Sequence, residues 1–280
     1  MGNKIILCPN PDKDRGLSVT RRARELLEGA GHRVSVCPEY LDRPEEAEGG
    51  ALLDELPGAF LVVSLGGDGT IMHTARRMTG SEVPILGVNL GTVGFLADLD
   101  CGELPRLLDA AAGGFRLSPR MMLRAELMRD GVLIYENYAL NDVYIHGIVQ
   151  MLHLTARGDG RKILDFSGDG LVIASPTGST AYSMAAGGPL VEPTAENIIL
   201  TPVCPHALAA RSFVLAPERV VTVEIGRLRG GAMLSADGNA FEIRAGDTVR
   251  VCKAKHKTLI ARVGSKTFYD IVYEKLGERT

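Results

Sequence analysis

Two kinds of sequence alternate from residue 4 to residue 114: short apolar runs cut off by glycine or proline, and stretches whose apolar residues recur at helical spacing. The first kind reads as buried strand and the second as amphipathic helix. The run 4–8 ends in Pro9-Asn10-Pro11, and Val19, Ala23, Leu26, Leu27 and Ala30 then share one helical face before the chain reaches Gly31. Strands follow at 33–37 and, past an acidic linker at 45–50, at 60–65, which runs directly into Gly66-Gly67-Asp68-Gly69-Thr70 and a helix to Arg77. Another strand at 84–88 leads into Gly91-Thr92-Val93-Gly94-Phe95, and a helix over 104–112 closes at Gly113-Gly114. Strand and helix in strict alternation predict a parallel, doubly wound α/β sheet.

The period changes after Leu117. Short strand patterns with turn punctuation occupy 123–128, 132–140, 143–146, 152–157, 171–174, 198–201, 220–225, 248–253 and 258–263. Phe268, Ile271, Val272 and Leu276 then fall on one face of a final helix, whose simplest packing partner is the α/β layer. The expected organisation is a discontinuous α/β domain, residues 1–117 with 265–280, and a β-rich, sandwich-like domain over 118–264. A chain of 280 residues, 45% hydrophobic and 23% charged, is large enough to build both cores.

Composition excludes several partners. Lys and Arg total 31 against 34 Asp and Glu, with the signs interspersed, and aromatic residues make up 5% with no Trp. Nucleic-acid binding is therefore not expected. The most apolar stretch, 84–99, is broken by Asn89, Thr92 and Asp98, so no membrane partner is expected either. Five scattered cysteines without a C-x-x-C pair fit a reducing cytosol, and a cytoplasmic location is the expectation. Six histidines without H-x-x-x-H or a nearby cysteine set give no zinc site.

The chemistry concentrates in four places. Gly66-Gly67-Asp68-Gly69-Thr70 lies at the carboxyl end of a strand and opens a helix, where α/β sheets bind ligands and exposed N–H groups attract anions. Asp68 would repel phosphate there, so it either takes a proton from an attacking hydroxyl, holds a metal ion, or simply caps the helix. The segment Ser175-Pro176-Thr177-Gly178-Ser179-Thr180-Ala181-Tyr182 is dense in hydroxyls, and it reads either as a capped turn or as a site for ribose, amide or phosphate with Tyr182 to stack on a base. Asn141-Asp142 suits either a turn or the two hydroxyls of a ribose. Asp237-Gly238-Asn239 has the same two readings, and its turn would be a type I′ hairpin between 232–236 and 241–243. No Walker A loop, G-x-G-x-x-G fingerprint or G-x-S-x-G elbow is present.

Taken in order, these motifs resemble the NAD kinase family over nearly the whole chain. The most specific block runs from Asp169-Gly170-Leu171 through Ser175-Pro176-Thr177-Gly178-Ser179-Thr180-Ala181-Tyr182-Ser183, then Ala186-Gly187-Gly188-Pro189 and Thr201-Pro202-Val203-Cys204-Pro205-His206. The resemblance implies transfer of a terminal phosphoryl group from ATP, or polyphosphate, to the 2′-hydroxyl of the adenosine ribose of NAD. It implies Asp68 as general base, with Gly66, Gly67, Gly69 and Thr70 near the phosphates and Gly69 also close to NAD. Asn141 and Asp142 would hold the ribose, Asp169 and Ala181 the nicotinamide side, Thr180 and Tyr182 the adenine or diphosphate, with Phe95 and Asp237 lining the same pocket. Magnesium or another divalent cation would come in through the donor phosphates rather than a protein metal site. A homodimer or homotetramer is also implied.

The chain departs from the family pattern at Asp142, where Glu is common, at Ser175 for Thr, at Asn239 for Gln, and at Ser167, where many relatives carry Arg. Two other readings compete. Lipid kinases acting on diacylglycerol or sphingoid bases share Gly-Gly-Asp-Gly-Thr, but they lack the Thr-Gly-Ser-Thr-Ala-Tyr block. A non-catalytic NAD(H) sensor would have no use for Asp68 among phosphate-binding amides.

Overall fold

The computed structural model describes residues 2–39, 51–91, 94–207, 210–228 and 230–277. The 45–50 linker and Thr92-Val93 lie outside them. The chain forms two compact units, Met1–Pro119 with Thr258–Thr280, and Arg120–Lys257.

In the first unit the strands are β1 (Lys4–Pro9), β2 (Arg33–Val36), β3 (Leu61–Gly66), β4 (Ile85–Asn89) and the two-residue β5 (Leu99–Asp100). They pair in parallel in the order β5-β4-β3-β1-β2. Helices α1 (Ser18–Gly29), α2 (Ala51–Glu55), α3 (Asp68–Arg77) and α4 (Leu107–Ala111) connect them. Every residue of β3 is buried, as its unbroken apolar run requires of a strand covered on both faces. Thr20, Ala23 and Leu27 turn the inner face of α1 to a core shared with Leu7, Leu61 and Leu107. Fully burying each such Leu contributes roughly 1.5–3 kcal/mol. The helix expected over 104–112 is divided: Cys101–Arg106 forms 3-10 turns and only α4 is α-helical. Pro105, inside that segment, has no N–H to donate to an α-helical ladder.

The second unit is antiparallel. Its strands are β6 (Arg116–Arg129), β7 (Val132–Ala139), β8 (Asp142–Gly147), β9 (Leu152–Gly158), β10 (Arg161–Gly168) and β11 (Gly170–Ala174). After the short helix α5 (Tyr182–Ala185) come β12 (Ile198–Val203), β13 (Phe213–Leu215), β14 (Val221–Ile225), β15 (Ala232–Ala236), β16 (Asn239–Ile243) and β17 (Thr248–Arg262). A six-stranded sheet runs β13-β12-β11-β8-β15-β16, and β10-β9-β14-β17 form another layer. One core joins Val143 and Ile145 of β8 to Leu154 of β9 and Val223 of β14, the layering of a sandwich.

Four strands differ from the sequence reading, the two-residue β5 among them. β10 and the three-residue β13 were not expected at all. The pair expected at 248–253 and 258–263 is a single strand, β17, whose last residues belong to the first unit. The basic run 253–257 stays extended because Lys253 and Lys257 both reach the carboxylate of Glu196, the latter at 2.7 Å. The final helix, α6 (Phe268–Leu276), belongs to the first unit and is capped by Thr267, whose hydroxyl accepts the Asp270 N–H.

Candidate active site

The glycine turn after β3 is shaped by close approach. A Cβ at Gly66 would stand 2.2 Å from Thr70 Oγ1, so only glycine fits there. Thr70 Oγ1 accepts from the Gly67 N–H and from Asn10 Nδ2, both at 3.4 Å. The buried Asn10 also donates its backbone N–H to Leu65 O at 2.8 Å, which latches the Pro9-Asn10-Pro11 turn onto the glycine loop. That latch brings Lys13 along: its Nζ lies 2.6 Å from where a Gly67 Cβ would be. The exposed Lys13 was not singled out from the sequence, because nothing local distinguishes it from any solvated lysine.

Asp68 opens α3 and turns its carboxylate onto the loop after β4. Oδ2 accepts the Phe95 N–H at 2.6 Å, and Oδ1 accepts those of Leu96 and Ala97 at 3.1 and 3.3 Å. A carboxylate offers about four acceptor positions, so roughly one remains for a further proton. Gly94 makes the approach possible, since a Cβ there would lie 1.9 Å from Asp68 Oδ1. The Phe95 ring carries Lys275 Nζ of α6 at 4.3 Å from its centroid, a cation–π contact that fixes the ring.

In the second unit, Asp237 and Gly238 both have positive φ, +46° and +83°, between the paired ends of β15 and β16. This is the hairpin turn read from the sequence, and it carries more than a turn. Asp237 accepts the backbone N–H groups of Leu140, Asn141 and Asp142 at 2.6, 3.0 and 3.1 Å. Burial first, and the Asp237 charge second, push the Asp142 carboxyl up to about 7. Asn141 Oδ1 is buried without a hydrogen-bond partner, and an orphaned acceptor of this kind points to a ligand or water.

The hydroxyl-rich segment packs on the same place. The Asn141 carbonyl accepts from Ser175 N at 2.8 Å, and a Cβ at Gly178 would come within 2.1 Å of it. Ser175 Oγ donates to Leu140 O at 2.5 Å. Thr180 is buried and donates to Thr177 O within its own turn. Ala181 is half-buried at the start of α5. Tyr182 is exposed; its hydroxyl donates to that of Tyr144 at 3.2 Å, with the rings edge to face at 4.7 Å. Tyr144 stacks on His146 at 4.6 Å, and burial together with the Tyr182 hydroxyl raises its phenol well above the ordinary value. Asp169, exposed, accepts a bond from Cys204 that pushes the thiol up. A pocket of about 500 Å³ is lined by Tyr144, Gln150, Met151, Asp169, Tyr182 and Cys204.

A fixed carboxylate at a glycine-lined helix start suits a kinase that phosphorylates a hydroxyl group. Comparison with known proteins gives the family. The ATP-NAD kinase N-terminal domain model matches residues 5–114 and the ATP-NAD kinase C-terminal domain model matches residues 140–263. NAD kinase from Acetivibrio thermocellus is 38% identical over 282 residues, covering 99% of this chain and 98% of that protein. NAD kinase from Geotalea daltonii is 39% identical over 283 residues, 99% of each. Among solved structures, yeast NADH kinase complexed with NADH superposes with a TM-score of 0.83 at 26% identity, covering 99% of this chain and 88% of that one. An NAD kinase from Archaeoglobus fulgidus in complex with ATP shares the fold, with a TM-score of 0.75 at 24% identity over 98% of each chain. The chain belongs to the ATP-NAD kinase family, and its reaction is the phosphorylation of NAD. This separates it from the lipid kinases that share the glycine pentapeptide.

Proposed function

We propose that ATP donates the phosphoryl group and that Asp68 is the general base which takes the proton of the ribose 2′-hydroxyl. The observation that carries this is the grip of the 95–97 amides on Asp68: the carboxylate is oriented and left with an open acceptor position. Gly66, Gly67, Gly69 and Thr70 would bring the helix start to the donor phosphates, with the Gly67 and Thr70 N–H groups holding the turn itself, and the Lys13 ammonium beside Gly67 adds positive charge. Among the described residues no three His, Cys, Asp or Glu side chains converge, so magnesium would take its ligands mainly from the phosphate oxygens, where it neutralises charge.

In the second unit, Asn141 with its open Oδ1, and Asp142, would engage the adenosine ribose, with Asp237 holding their backbone. Tyr182 and the Thr180 segment would contact the adenine or diphosphate, and Asp169 and Ala181 the nicotinamide end. Phe95 would form an apolar wall. The enzyme would work in the cytosol on soluble NAD(H), as a homodimer or homotetramer; among the described residues no helix is long and apolar enough to cross a membrane. The test is Asp68→Asn assayed for NADP formation from NAD and ATP, alongside calorimetric NAD binding. Loss of turnover with binding intact is expected; unchanged turnover would remove Asp68 as the base.

A further inference from the structure

The loop that grips Asp68 is itself held from behind. Arg262, at the end of β17, donates from Nη2 to Phe95 O at 3.3 Å and from Nη1 to Ala97 O at 3.4 Å. The same Nη1 pairs with Asp98 Oδ1 at 3.2 Å, and the two side chains are 13% and 4% exposed. Asp98 Oδ2 in turn accepts the Val263 and Gly264 N–H groups, both at 2.7 Å. Residues 95–97 are thus fixed on both edges, their N–H groups by Asp68 and the Phe95 and Ala97 carbonyls by Arg262.

One peptide group makes the link direct. Phe95 C=O and Leu96 N–H belong to the same amide, so a guanidinium polarises the oxygen while Asp68 binds the hydrogen. Bonds in such a chain strengthen one another, and the donor at its far end is a guanidinium. A positive charge placed this way holds Asp68 without touching it, and leaves the carboxylate's remaining acceptor position open. A lysine could reach one of the carbonyls, but only the guanidinium fork spans two of them and Asp98 together.

Resting on Asp68 as the base, we propose that Arg262, locked by Asp98, is a positioning residue for phosphoryl transfer: it sets the 95–97 backbone and, through it, the orientation of the catalytic carboxylate. Nothing in the sequence marks it, since it lies 164 residues from Asp98.

The experiment is a double-mutant cycle. Arg262→Gln and Arg262→Lys are each made in the native chain and in Asp68→Asn, and kcat, KM for NAD and thermal midpoint are measured for all. Arg262→Gln is expected to lower kcat about tenfold or more with KM for NAD within about twofold, and to add less than about twofold in the Asp68→Asn background. Arg262→Lys should recover part of kcat. The same fold-loss in both backgrounds, or a rise in KM with kcat retained, would overturn the proposal. If Arg262→Gln does not fold, Arg262→Lys is read through the same cycle with the same criteria. Failure of the base assignment is separately visible: Asp68→Asn alone would then keep its turnover, whatever Arg262 does.

Discussion

Each unit of this kinase holds one aspartate in the same way, three successive backbone N–H groups on one carboxylate. Asp68 takes those of residues 95–97 and Asp237 those of 140–142, at closely similar distances. What surrounds the grip differs. Behind the Asp68 loop stands a guanidinium, and in front of it a glycine-lined helix start. Beside the Asp237 loop stands another carboxyl, Asp142, driven toward its neutral form by burial and by Asp237 itself. One device therefore orients an acceptor in the first unit, and stands beside a carboxyl that retains its proton toward neutral pH in the second. The lesson is that hydrogen-bond count alone does not assign a role; the next charge outward does.

The largest expected contrast comes from truncating each aspartate. Asp68→Ala should lower kcat by about 10²–10⁴-fold with modest change in KM, the usual range for a lost general base. Asp237→Ala should instead raise KM for NAD and reduce stability by about 2–4 kcal/mol in urea titration, because three N–H groups lose their acceptor. Matching kinetic signatures in the two variants would break the comparison.

Proton linkage gives the next effect. With the Asp142 carboxyl moved from 3.8 to about 7 on folding, the native state holds close to one more proton than the unfolded chain between those values. Stability is then greatest below pH 3.8, falls as pH rises through this window, and is flat above about 7 as far as this group is concerned. Asp142→Asn should remove that slope in pH-dependent denaturation, and an unchanged slope would reassign the proton. Gly94→Ala is expected to cost about tenfold in kcat by wedging a methyl against Asp68 Oδ1, a short side chain with nowhere to swing. Smallest is Gly238→Ala. The added methyl meets nothing, so only the strain of φ +83° remains, about 1 kcal/mol by thermal melting.

Much of this was legible in the sequence because it is local. The glycine turn, the helix from Asp68 to Arg77 and the type I′ hairpin at Asp237-Gly238 each follow from residues within a few positions of one another. β10 escaped because the adjacent Ile163 and Leu164 and a register shift between Lys162 and Leu164 break its alternation, leaving only a short regular stretch, and Gly168-Asp169-Gly170 reads as a loop. β13 is three residues long and mostly exposed, too little pattern to see. The split reading of β17 took a basic run for a break, when Glu196, far away in the chain, neutralises it. The candidate residues Asp68, Asn141, Asp142 and Asp237 came from motif resemblance, but their grips did not. Which amides face a carboxylate depends on where separate loops meet, and Asp98 and Arg262 carry no motif at all.

The bond between Asp98 and Arg262 also sets an order of events during synthesis. On a ribosome adding about 5–20 residues per second, the 164 residues between the two occupy on the order of ten seconds or more. Throughout that interval the nascent chain already carries Asp68 and the loop that grips it, yet the arginine brace is still untranslated. Truncated or stalled products that end before β17 is finished would therefore lack the guanidinium behind the 95–97 backbone.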